Sequence, residues 1–120
     1  MNWILLKELN QLDEILLESQ KKPVLIFKHS SRCNISRATL DRLERKWDVS
    51  EMGAVKWYFL DLISYREISN QIADRFQVEH HSPQILVISN GKSVLDLSHY
   101  EIDYDHIKAV FKNSLTSLAG

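Results

Sequence analysis

From Trp3 to Leu97 the chain repeats one pattern: a short apolar run, then a stretch with apolar residues at every third or fourth place. Only once are two runs joined directly, across Asn90-Gly91. Both residues tolerate positive φ, and this dipeptide is a strong signal for a tight antiparallel hairpin. Every other pair of runs is separated by a helical stretch, and strands linked through helices lie parallel. The pattern therefore predicts the order β-α-β-α-β-α-β-β-α. That is an α/β fold with a mixed sheet flanked by helices and its second strand central.

The expected strands cover residues 3–6, 24–28, 54–60, 85–88 and 93–97, rich in β-branched and aromatic side chains. Asn10 is placed to cap a first helix that turns Leu12, Ile15 and Leu16 inward and stops before Pro23. A second helix is expected from Cys33 to about Trp47, with Leu40, Leu43 and Trp47 on one stripe. Ser64 and Glu67 have the spacing of a capping box ahead of Ile68, Ile72 and Phe76. Asp103 is the expected cap of a last helix that buries Ile107, Val110, Phe111 and Leu118.

A chain of 120 residues is the size of a single domain with its own core, so residues 1–120 are read as one domain. No apolar stretch approaches the roughly 20 residues that cross a bilayer. The run at residues 3–6 is too short for the core of a secretory signal, so a cytoplasmic location is expected. A lone cysteine fits a reducing compartment. The net charge of −1 predicts neither a nucleic-acid nor a membrane partner. Its distribution is uneven. Residues 21–46 hold eight bases and two acids, for +6, and the remainder holds seven bases and fourteen acids, for −7.

Cys33 lies in the positive half. It follows the apolar run Val24-Leu25-Ile26-Phe27 and the polar His29-Ser30-Ser31-Arg32, and it opens the second helix. A sulfur at a strand-to-helix junction faces the unpaired N–H groups of the first turn, which favour an anion. The thiolate is the nucleophilic form, so this placement activates it. An inert buried thiol is the competing reading, and the polar, basic neighbours argue against it. Ser36 stands one turn on, where a dithiol enzyme carries its second cysteine, and its hydroxyl is positioned to donate to the thiolate. Arg32 is a candidate for binding an acidic substrate group. His29, His80 and His81 raise the alternative of a metal site with the sulfur, but their spacing matches no structural zinc signature, and no metal is expected.

The segment 27–36, Phe-Lys-His-Ser-Ser-Arg-Cys-Asn-Ile-Ser, resembles the signature of the YtxJ-like family, the monothiol bacilliredoxins. Those proteins share a Phe-Lys-His-Ser lead-in and a Cys-x-x-Ser site. Some carry proline where Asn34 stands here. The element order, with a cysteine at the second strand-to-helix junction and Pro83 just before the hairpin, resembles the thioredoxin fold. This resemblance implies a thiol-disulfide oxidoreductase that removes bacillithiol, or a similar small thiol, from S-thiolated proteins through Cys33. It implies no tightly bound cofactor; the small thiol is a co-substrate. It also implies a cis Ser82–Pro83 bond facing the cysteine, with the backbone before Pro83 pairing with substrate. Two other readings stand beside it: an iron–sulfur module like the monothiol glutaredoxins, which carry Gly-Phe where Asn34-Ile35 stand, and a redox-inert adaptor.

Overall fold

A computed structural model of the chain describes residues 3–53 and 55–119. The strands are β1 (Trp3–Leu5), β2 (Val24–His29), β3 (Lys56–Asp61), β4 (Gln84–Ser89) and β5 (Lys92–Ser98). The helices are α1 (Asn10–Glu18), α2 (Asn34–Lys46), α3 (Val49–Met52), α4 (Arg66–Phe76) and α5 (Tyr104–Ala119). The strands form one 5-stranded sheet in the order β1-β3-β2-β4-β5. β2 is central as expected, parallel to β3 and antiparallel to β4. The hairpin turns at Asn90 and Gly91, both at positive φ (52° and 75°), which is why this dipeptide suits it.

Helices cover both faces, so β2 and β4 are buried along their whole length and carry continuous apolar runs at residues 24–27 and 85–88. On one face, Leu12 and Ile15 of α1 and Ile68, Ile72 and Phe76 of α4 pack on Val24, Ile26, Leu86 and Ile88. On the other, Leu43 of α2 and Ile107 and Phe111 of α5 pack on Leu25, Phe27, Ile85 and Val87. Each such side chain contributes about 1.5–3 kcal/mol by leaving water. The alternation of β2 has a consequence at its end. Lys28 continues the first face and His29 the second, and both are buried.

Several local expectations need correction. Asn10 is the first residue of α1 and not its cap; Leu9 holds the cap position without a side-chain hydrogen bond. Gln11 takes over the turn, its Oε1 accepting from Lys7 N and Glu8 N. The capping box does not form, because Tyr65 is the cap of α4 and the Ser64 hydroxyl donates to Asp61 Oδ2 instead. The helix expected to stop near Trp47 does so, but the short α3 follows it, capped by the Asp48 carboxylate accepting from Ser50 N. The third strand starts at Lys56; Ala54, where it was expected to start, lies outside the described residues. Asp103 caps α5 as expected, its carboxylate accepting from His106 N.

Candidate active site at the end of the central strand

β2 ends at His29, and a turn closed by Cys33 N–H donating to Ser30 O (3.1 Å) leads into α2. Cys33 holds the N-cap position with extended dihedrals, φ −103° and ψ 118°. It is a free thiol, partly exposed, and it makes no capping hydrogen bond. The first backbone bond of the helix runs from Arg37 N to Cys33 O, and the amides of Asn34, Ile35 and Ser36 have no backbone partner among the described residues. The N-cap position sets Cys33 beside the positive end of the helix dipole. Arg32 beside it is exposed. Arg37 donates to Asn34 Oδ1 (2.5 Å), which fixes a second guanidinium on the first turn.

The Ser36 hydroxyl, expected to serve the sulfur, is held elsewhere. Ser36 is fully buried, its oxygen accepts from Ser30 N (3.1 Å), and it lies 2.8 Å from His29 Nδ1. The hydroxyl therefore bridges the Ser30 amide and the His29 ring. Burial pushes the His29 imidazole below its ordinary pKa, with Arg37 adding to the shift and Asp61 opposing it. The ring stacks on Phe27 and lies against Phe59. Full burial denies Ser36 any role as a nucleophile toward substrate. Its hydroxyl instead ties the first turn of α2 to the end of β2.

The other face of β2 carries a second polar group. Lys28 Nζ is within 3.3 Å of both Ser69 O and His80 Nδ1. Ser69 Oγ lies 3.2 Å from the same nitrogen. Burial pulls the Lys28 ammonium down to about 8. Burial and the nearby Lys28 cation also hold His80 below its ordinary value. The three histidines therefore do not gather at the sulfur. His29 faces Ser36, His80 faces Lys28 and Ser69, and His81 lies edge-on to His99 and 3.7 Å from Glu79. Among the described residues no group of three or more His, Cys, Asp or Glu is arranged to hold a metal ion.

The last β2–β4 pair, Lys28 with Gln84, brings Ser82 and Pro83 to the end of the sheet that carries His29. The Ser82–Pro83 peptide bond is cis, as the resemblance implied. Pro83 O accepts from His99 N (3.0 Å). Cys33 and its basic neighbours were readable from sequence. The polar groups built on Lys28 and on His29 were not singled out, although strict alternation along a buried strand places them on opposite faces.

A family model, monothiol bacilliredoxin BrxC, matches residues 4–107. The chain belongs to that family. Its fold is that of the thioredoxins. A solved thioredoxin-fold protein described as a candidate oxidoreductase is 26% identical, with a TM-score of 0.71 over 98% of this chain and 94% of its own. The thioredoxin of Fasciola hepatica is similar at 14% identity and a TM-score of 0.69, covering 92% of this chain and 97% of its own. That of Malassezia sympodialis is similar at 16% and 0.69, covering 96% and 91%. Membership assigns this bacilliredoxin relative to thiol redox chemistry. No described helix is long and apolar enough to cross a membrane.

Proposed function

We propose that this protein removes a small thiol of the bacillithiol type from mixed disulfides on cytoplasmic proteins, using Cys33 as its only redox sulfur. The observation that carries the reading is a free, partly exposed cysteine at the N-cap of α2, in a chain of the bacilliredoxin family with no second cysteine. The Cys33 thiolate attacks the small-thiol sulfur of the protein mixed disulfide. A Cys33–small-thiol disulfide forms, and the protein thiolate leaves and takes a proton. A second small-thiol thiolate then attacks the small-thiol sulfur, giving the symmetrical disulfide and releasing the Cys33 thiolate. Each step exchanges one S–S bond for another and needs no metal or bound cofactor. The helix start and the guanidinium groups of Arg32 and Arg37 make this end of the molecule electropositive. The exposed Arg32 guanidinium is the group that pairs with a carboxylate of the small thiol. The backbone at Ser82, before Pro83, pairs with the protein substrate as an added strand. Ser36 acts on the reaction indirectly, by holding the first turn of α2 in place.

The test is mass spectrometry after mixing the protein with a bacillithiolated substrate. A mass increase on Cys33, absent in Cys33→Ser, is the expected result. If neither bacillithiol nor glutathione adducts transfer to Cys33, the reading is rejected.

A further inference from the structure

We infer that Lys28, Ser69 and His80 form a positioning cluster that holds the Pro83 segment in place for the protein half of the mixed disulfide. The proposal deepens the reading above and rests on it. Three observations carry it.

The first is the geometry. Lys28, fully buried under α4, aims its Nζ at Ser69 O and at His80 Nδ1, and the Ser69 hydroxyl converges on the same nitrogen. An ammonium can only donate, so beside the charged Lys28 the His80 Nδ1 is the acceptor. The second is what the segment lacks. Ser82 Oγ is buried and has no hydrogen-bond partner among the described residues. On the Lys28 face, the segment before Pro83 is held by His80 and by Gln84 Nε2 donating to Glu79 O (2.9 Å). Lys28 and Gln84 are cross-strand partners, so both grips come from one rung of the sheet. The third is cost. No carboxylate pairs with Lys28 among the described residues, and a buried ammonium with only neutral partners is expensive where an apolar side chain would fill the same place. A grip on the substrate-docking segment explains its presence.

None of the cluster's hydrogen bonds involves Cys33, and the cluster acts through the position of residues 79–83. A small alkylating reagent reacts with Cys33 without needing a docked strand. A protein substrate needs that segment. Losing the Lys28 grip therefore separates the two.

The test compares wild type, Lys28→Met and His80→Ala in two assays: alkylation of Cys33 by iodoacetamide, and steady-state removal of bacillithiol from a thiolated protein. Both variants are expected to raise KM for the protein about fivefold or more while kcat and the alkylation rate stay within about twofold. Should Lys28→Met fail to fold, as read by its near-ultraviolet circular dichroism, His80→Ala decides alone. A KM unchanged in the folded variants overturns the cluster's role while leaving the proposed function standing. An equal fall in alkylation and turnover also overturns it, because that marks general damage. A wild type that accepts no thiol at all removes both proposals together.

Discussion

Ser36 shows how much one hydroxyl decides at this site. It accepts from Ser30 N and hydrogen-bonds with His29 Nδ1, both inside the protein. Ser36→Ala removes the partner of the part-buried Ser30 amide and of the buried His29 ring nitrogen, so stability is expected to fall by about 1–3 kcal/mol, read by urea unfolding. Transfer of the small thiol to Cys33 is expected to slow less than about tenfold, because the sulfur itself loses no bonded partner. A loss as complete as that of Cys33→Ser would show instead that the hydroxyl acts on the sulfur. The sequence marked Cys33 through its place at a strand-to-helix junction among bases. It did not mark the partner of Ser36, because a serine one turn into a helix points to the sulfur or to the preceding strand with equal ease, and only the packed position of His29 settles which.

At the scale of elements, the joints between helices and strands were the hardest to read. The end of α1 docks on the hairpin through Ser19. Its hydroxyl donates to Leu16 O and accepts from Gly91 N, and its carbonyl accepts from Asn90 N. Ser19→Ala therefore leaves the Gly91 amide without its acceptor, and a cost of about 1–2 kcal/mol in urea unfolding is expected with no change in Cys33 alkylation. Apolar periodicity identified all five strands and four of the five helices of the described chain, because burial on one or both faces writes itself into the residue pattern. The short α3 escaped because four residues are too few to show a period. The caps of α1 and α4 escaped because side chains outside the expected cap pair took over the turns: Gln11 accepts from the amides ahead of α1, and Asp61 draws the Ser64 hydroxyl away from α4.

For the molecule as a whole, the buried bases each add a pH dependence to stability. Lys28 titrates at about 8 in the fold and at 10.5 as an ordinary lysine, so between those values the unfolded chain holds the extra proton. The Lys28 contribution to stability therefore rises as pH climbs from 8 towards 10.5, by up to about 3 kcal/mol. Guanidinium unfolding of wild type against Lys28→Met is expected to show this gain in wild type alone, and parallel profiles would refute it. His29 and His80 work at the acid end. Both lie below the ordinary histidine value of 6.5 in the fold, so their contribution is present above 6.5 and is lost as pH falls below it.

Two consecutive buried polar residues at the end of the central strand also make its pairing self-checking. An error of one place in aligning β2 with its neighbours would turn the ammonium towards α2 and the imidazole towards α4, stranding each among groups that cannot answer it. A purely aliphatic strand would forgive that mistake. This one rejects it twice, and so protects the alignment that brings Ser82 and Pro83 to the end of β2.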